Sequence, residues 1–425
     1  MNRVVVTGIG VVASNGCGKN EFLNSVKNGI SGVKNIPDLE SLNFGCQIGG
    51  IPDITRSSYL PVLKKYDMAN VGSTVLLATM AGLEAWEDAG LSIPEYNSTN
   101  VDADTGVIVG TGSASMDLIC NTLIPLVNEG KVRKIRSSIV EQLLFSAPGA
   151  FLSGILATGN ISTTNSSACA TGTESILMGY DAIRYGKAKR ILAGSSEGYS
   201  PYYWAYFDSV RVTATAFNES PEKGSRPMSA TACGLVPAAG AGMLILEDLS
   251  SALQRNAPIY AEIGGGFMNS GGQRNGGTMT SPSSSGVQLC ISQALKSAKT
   301  RPEEIDCISG HLSSTMADVF EIQNWVAALK RDKSNFPYIN SLKSMTGHSL
   351  GASGAIETIA AVMEIDNQFI HPSINCEDVH PEISEMIHTE KIPRTLITNK
   401  AVNTIAKTSF GFGDVNVCLI LKKYK

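Results

Sequence analysis

Four side chains in this sequence combine a reactive group with an arresting local pattern. Cys169 lies in "NSSACATGTES", His311 in "SGHLSST", and His348 with Ser349 in "MTGHSLGASG". After Cys169, the residues Ile176, Leu177, Tyr180 and Ile183 recur at helical spacing, and Arg184, Gly186 and Lys187 close that helix before the strand "RILAG". Cys169 thus opens a helix. Unpaired N–H groups and the helix dipole there favour an anion, so the thiol pKa is expected to fall and the thiolate to serve as a nucleophile. A buried structural cysteine is the competing reading.

Gly347 to Gly351 forms a Gly-x-Ser-x-Gly, which makes Ser349 a candidate hydrolase nucleophile. Such a serine needs a buried strand running straight into the turn. Here "FPYIN" ends and "SLKSMT" intervenes, so the context fails. Of the five histidines, 371, 380 and 388 fall in a polar segment, whereas His311 and His348 each follow a strand-like run and sit among small residues. Loops at one edge of an α/β sheet are where catalytic groups gather, and a cysteine with two histidines there is a site hypothesis.

The elements that must position these groups repeat in outline. "TVLLATMAGLEAWEDAGL" reads as a helix, followed by the buried strand "TGVIVG" and the small turn "TGSAS". In the second half "VQLCISQALKSA" is the helix, "EEIDCISG" the strand and "HLSST" the turn. Each half closes on a glycine-rich turn and a strand, "CGLVPAAGAGMLILED" and "SFGFGDVNVCLILKK". Two copies of one α/β unit follow, residues 1–252 and 253–425, with a largely parallel sheet covered on both faces. The opening "VVVTGIGVVA" also offers Gly-x-Gly-x-x-Ala after a strand, a weak dinucleotide fingerprint with no prompt helix behind it.

At 425 residues, with 43% hydrophobic and 17% charged residues, the chain reads as globular. A net charge of -4 with no basic stripe excludes a general nucleic-acid binder. Nine cysteines without C-x-x-C pairs read as reduced thiols, and no apolar stretch is long enough for a membrane span. A cytoplasmic enzyme without a metal is expected.

Along nearly its whole length the sequence resembles the β-ketoacyl-acyl-carrier-protein synthases of the type II elongating sort, in the thiolase-like superfamily. The resemblance rests on "RVVVTGIGVV", "ACATG", "SRP", "GAGMLILE", "MTSP", "KSMTGHSLGASGAIE" and "SFGFGD". It implies a duplicated five-layered α-β-α-β-α fold, usually dimeric, either as a homodimer or as a heterodimer with a chain-length-factor-like subunit. It also implies a Cys-His-His set of Cys169, His311 and His348, which leaves Ser349 a bystander. An acyl group would pass from the phosphopantetheine of an acyl carrier protein to Cys169, and malonyl-carrier protein would then lose carbon dioxide and attack it, with no separate cofactor. The two histidines would stabilise the developing enolate. Cys169 and Phe412 would supply oxyanion N–H groups, with Phe410 as gate. Lys343 and Glu357 match a supporting pair, and Thr280, Ser313 and Thr315 match hydroxyls of the pantetheine channel. A non-condensing chain-length subunit is the alternative, and the intact Cys-His-His set argues against it.

Departures from the pattern point to a specialised polyketide or polyene pathway over housekeeping fatty acid synthesis. Leu312 replaces a glycine, and Asp318 stands one place early in the turn after His311. Asp414 replaces a glycine and would bring a charge to the entrance. "AAGAG" lacks an acidic residue before its GAG, and Phe217 stands where a carrier-docking arginine is common. Ser113 occupies an acyl-pocket position often filled by a bulky residue. Lys64 and Lys65 are candidates for docking an acidic carrier.

Overall fold

The computed structural model describes residues 1–425 apart from Arg56, Ser58, Asp67, Ala69, Asn70, Tyr96 and Asn97. Its frame is one 11-stranded sheet. The first half contributes β1 (Val4–Ala13), β2 (Thr105–Gly110), β3 (Ser162–Thr163), β4 (Arg190–Glu197) and β5 (Gly240–Asp248). The second contributes β6 (Ala261–Ser270), β7 (Cys307–Ser309), β8 (Tyr338–Asn340), β9 (Thr404–Gly411) and β10 (Val415–Lys422). The spatial order is β8-β7-β9-β10-β6-β1-β5-β4-β2-β3, with the two-residue strand Gly16–Cys17 folded back on β1.

Read outward from the centre, strand n of the first half is answered by strand n+5 of the second. The halves join where Val4, Val5 and Val6 pair antiparallel with Ile263, Glu262 and Ala261. The sheet is mixed, which corrects the expectation of a largely parallel one. Only β2 with β3 and β4, and β7 with β8 and β9, run parallel. The remaining strands of each half run antiparallel to their neighbours; β9 turns straight back into β10, whereas β4 reaches β5 only after the long segment 198–239.

The helices fall where the duplication requires. α1 (Ser73–Asp88) and α2 (Ala147–Leu156) cover the outer face of the first half, packing Val75, Trp86 and Leu152 against Val107 and Ile245. α3 (Thr171–Arg184) lies on the other face. α4 (Ser284–Ser297) and α5 (Ala317–Leu329) cover the second half with Ile291, Ile322 and Trp325. α6 (Ser353–Asn367) joins α3 in a shared middle core with residues of both half-sheets, giving the five layers. Every residue of α6 from Ser353 to Ile365 is buried, as a helix enclosed on all sides must be.

Several glycines serve close approach. A Cβ on Gly8 or Gly10 would meet the backbone oxygens of Ala85 and Ala81 at 2.1 and 1.9 Å, so the Gly-x-Gly of β1 seats helix α1. That accounts for the motif without a dinucleotide. The strand expected over "EEIDCISG" is shorter. Pro302–Glu304 forms a 3-10 turn, and the carboxylate of Asp306 accepts the N–H groups of Asn403 and Thr404, leaving only Cys307–Ser309 for the sheet.

The middle helices meet through small residues. A Cβ on Gly354 would come within 2.8 Å of the Thr173 nitrogen, and one on Gly172 within 2.5 Å of the Ala355 nitrogen. Gly354→Ala is therefore expected to lower stability by about 1–3 kcal/mol, the usual cost of overpacking, despite the higher helix propensity of alanine. A thermal melt with an unchanged or raised midpoint would count against this packing.

Candidate active site

Cys169 sits in a short 3-10 turn, Ala168–Ala170, that leads directly into α3. The turn is strained. Ala168 has φ +50°, in the left-handed region that a side chain with a Cβ disfavours. Thr171 secures it by donating its hydroxyl to the Ala168 carbonyl at 2.7 Å and accepting the Ser167 N–H at 2.9 Å. The sulfur-bearing residue is 7% exposed, at the wall of a cavity of about 580 Å³.

The same cavity is lined by His311, His348, Phe410 and Phe412, and by Thr280, Ser313 and Thr315. Residues distant in sequence thus converge as their types suggested. His311 follows β7, and its ring stands edge-on to His348 at 5.3 Å and to Phe410 at 5.8 Å between centroids. The Nδ1 of His348 accepts the Leu350 N–H at 3.1 Å and lies 2.8 Å from the Ser353 hydroxyl. An Nδ1 that accepts from a backbone amide carries no proton, so the neutral ring keeps its hydrogen on Nε2. That leaves His348 a donor at Nε2. Burial, then the charge of Lys343, holds both imidazoles well below their usual range, so they are uncharged at neutral pH.

The thiol departs from expectation. Burial pushes Cys169 up to about 12, against the lowering influence of Lys343, while Glu197 and Glu357 raise it further. Desolvation of a sulfur charge outweighs the end of one helix. The resting group is a thiol, not the thiolate inferred from the helix N-terminus.

Lys343 and Glu357 form a buried ion pair, and Lys343 also donates to the His311 carbonyl at 2.6 Å. The "SFGFGD" segment is the end of β9 plus a turn. A Cβ on Gly411 would meet the Ser167 carbonyl at 2.3 Å, so this glycine lets the turn that carries Phe412 lie against the cysteine turn. The hydroxyls of Ser313 and Thr315, on the cavity wall, are 3.1 Å apart.

The altered turn after His311 is held by carboxylates. Glu321 accepts the N–H groups of His311 and Leu312 at 2.8 and 2.7 Å, and Asp318 accepts those of Ser313 and Ser314 at 2.7 and 3.1 Å. Leu312 is buried among Ile308 and Trp325, and the left-handed residue is Ser314, with φ +65°.

Other expectations need correction. Asp414 is fully buried and puts no charge at the entrance. It accepts the N–H groups of Gln273 and Ser283 at 3.0 and 2.9 Å, fixing the loop that carries Thr280. Ser113 stands off the cavity wall. Both its N–H and its hydroxyl bind the buried carboxylate of Glu197, at 3.0 and 2.9 Å. Ser349 is buried and lines no part of the cavity, which removes the hydrolase reading. Phe217 packs under Arg226, and Lys64 and Lys65 are exposed but lie off the cavity rim.

Three residues escaped the sequence reading. Arg211 is exposed at the rim, Glu197 takes amides of both halves, and Lys407 is fully buried with its ammonium 2.8 Å from Glu357 Oε2. Lys407 carried one legible signal, a lysine inside a strand enclosed on both faces, where a charge requires a partner.

Comparison with known proteins agrees with this geometry. Residues 1–252 match the family model "Beta-ketoacyl synthase, N-terminal domain", and residues 260–377 match "Beta-ketoacyl synthase, C-terminal domain". The chain is 34% identical over 430 aligned residues to 3-oxoacyl-[acyl-carrier-protein] synthase 1 of Haemophilus influenzae, with both chains fully covered. A beta-ketoacyl synthase structure from Burkholderia phymatum superposes with a TM-score of 0.89 at 28% identity, covering all of both chains. A type II polyketide ketosynthase solved with its acyl-carrier protein gives 0.87 at 30% identity, again over both whole chains. The chain therefore belongs to the beta-ketoacyl synthases, condensing acyltransferases that extend acyl thioesters by carbon–carbon bond formation.

Proposed function

We propose that Cys169 carries the growing acyl chain and that His311 and His348 drive the decarboxylation of a malonyl extender delivered by an acyl carrier protein. The observation that carries this reading is the convergence of Cys169, both uncharged imidazoles and Phe412 on one cavity. In the loading step the thiol attacks the incoming thioester, a new C–S bond forms, and the proton lost by Cys169 ends on the departing pantetheine thiol. The resting thiol needs no permanent thiolate for this exchange. Negative charge on the tetrahedral oxygen would fall to the N–H groups of Cys169 and Phe412.

In the second step the malonyl carboxylate leaves as carbon dioxide, and its bonding electrons move to the thioester oxygen. Neutral imidazoles can donate hydrogen bonds to that oxygen, and His348 has its hydrogen on Nε2 for this purpose. The enolate carbon then attacks the acyl carbon on Cys169, and the sulfur leaves as a thiolate that takes one proton from solvent to return to the resting thiol. Thr280, Ser313 and Thr315 offer hydroxyls to the pantetheine arm, and Phe410 beside His311 serves as gate.

We further propose that the chain works as two halves, 1–252 and 253–425, in the cytoplasm, on a specialised polyketide or polyene chain. A partner subunit, a second copy or a chain-length-factor-like protein, would cover the apolar rim beside edge strand β3. There Ile124, Val127, Val140, Leu144 and Phe145 are between 45% and 56% exposed, more than an isolated surface normally offers. An acidic carrier would dock over Arg211 at the cavity mouth.

Incubation with an acyl-pantetheine thioester is expected to add one acyl mass to the wild type and to Ser349→Ala, and none to Cys169→Ala; an adduct that survives Cys169→Ala sinks the assignment. The rate of condensation is expected to hold from pH 8 down through the ordinary imidazole range, falling only at lower pH as the depressed histidines acquire protons. A fall centred at or above 6.5 would contradict the neutral-imidazole mechanism. Arg211→Glu is expected to raise KM for carrier-bound substrate about tenfold at low salt with kcat little changed, and the gap should narrow as salt is added.

A further inference from the structure

Lys407 projects from β9 into the middle of the molecule, with no exposed surface. Its ammonium lies 2.8 Å from Glu357 Oε2 and 3.1 Å from the Ser409 hydroxyl, and it donates to the Thr408 carbonyl. Glu357 offers its other oxygen to Lys343, which holds the carbonyl of His311. Ser409 lies 2.8 Å from the hydroxyl of Thr173, in the helix that Cys169 opens. Thr408 donates to Glu321 at 3.0 Å, and Glu321 holds the N–H of His311. One lysine therefore reaches α6, α3 and the turn of His311.

A buried pair of Lys343 and Glu357 would already be neutral by itself. Adding a second lysine to the same carboxylate costs desolvation, and the fold bears that cost beside the two histidines. Glu321 restores the charge balance from the far side of the His311 turn. The imidazoles share their cavity with Cys169 and Glu321 and stand edge-on to each other, and the charges of Lys343 and Lys407 both bear on them.

We propose that Lys407 is a positioning residue for the decarboxylation step: together with Lys343 it grips both oxygens of Glu357, fixes the His311 turn, and presents the histidines with a second cation. This rests on the assignment of His311 and His348 given above. Lys407 itself touches no substrate, since it does not line the cavity. Its effect should therefore appear in the pH profile of decarboxylation more than in the loading of Cys169.

The test uses Lys407→Met, which keeps the bulk of the side chain and removes the charge. Decarboxylation of malonyl-N-acetylcysteamine, a soluble stand-in for the carrier-bound extender, is followed against pH on the acyl-loaded enzyme, and loading by hexanoyl-N-acetylcysteamine is followed by intact mass. Losing a nearby buried cation should move the acid limb of decarboxylation up by about one pH unit, with loading changed less than about threefold. A folded Lys407→Met enzyme with the wild-type limb overturns the proposal. Should that variant fail to fold, Lys407→Gln removes the charge while keeping an amide that can reach Glu357 and Ser409, and is expected to fold and show the same upward shift; an unshifted limb there overturns it equally. His311→Ala and His348→Ala serve as the reference. If they leave decarboxylation intact, the histidine assignment fails, and if they abolish it while the Lys407 variants keep the wild-type limb, only the role of Lys407 does.

Discussion

The site exists only because two backbones approach each other closely at the centre of the molecule. Cys169 belongs to the first half and both histidines to the second, so no single half contains the chemistry. What joins them is a row of missing side chains. Gly172 lies against Ala355, Gly354 against Thr173, and Gly411 against Ser167, each at a distance a Cβ would violate. Glycine costs conformational entropy in a helix, and α3 and α6 accept that cost near their first turns. The return is that the cysteine turn, the turn carrying Phe412 and the His348 loop share one wall.

Desolvation acts on that wall in opposite senses. Burial disfavours any charge, so it keeps the imidazoles neutral, as donors to an enolate require, and it also keeps the sulfur protonated. Only one of the two suits a resting nucleophile. The compromise is workable because loading is an exchange between a thiol and a thioester, which returns the proton to the departing thiol. The proposed decarboxylation has no such partner for charge and would depend on fixed donors such as the two imidazoles.

Much of this was legible in the residues, for identifiable reasons. Cys169, His311 and His348 could be found because glycine- and alanine-rich turns after strands leave short, readable punctuation. The duplication was legible as a repeated order of helix, strand and small turn. The antiparallel character of each half-sheet was not, because a strand buried on both faces reads the same whichever way its neighbour runs. The thiol was misjudged because the helix end is local and can be read from spacing, whereas burial is set by Phe410, Leu235 and other residues far away in the chain. Ser113 and Asp414 were misplaced for a related reason. Each looked like a change at a pocket or an entrance, and each is committed to a buried polar contact that only the fold discloses.

Those contacts follow a rule that bears on how the site keeps its shape. Three loops bearing or flanking site residues are tied down by buried carboxylates on neighbouring elements, while the Cys169 turn is held by the Thr171 hydroxyl. Glu321 and Asp318 hold the His311 turn. Asp414 holds the Thr280 loop, and Glu197 takes the N–H groups of Gly112 and Gly351 at 2.9 and 3.1 Å, linking the first half to the segment just after His348. A carboxylate can accept several amides at once, which suits a loop whose own N–H groups have no sheet or helix to pair with. Burial raises Glu197 and Asp318 to about 7, so these anions are held by their amide donors against desolvation. Buried acids at an active site usually invite a reading as proton-transfer groups. Here their oxygens are already engaged by backbone donors, so their work is to fix loops, which leaves Cys169 and the two imidazoles as the groups the proposed chemistry uses.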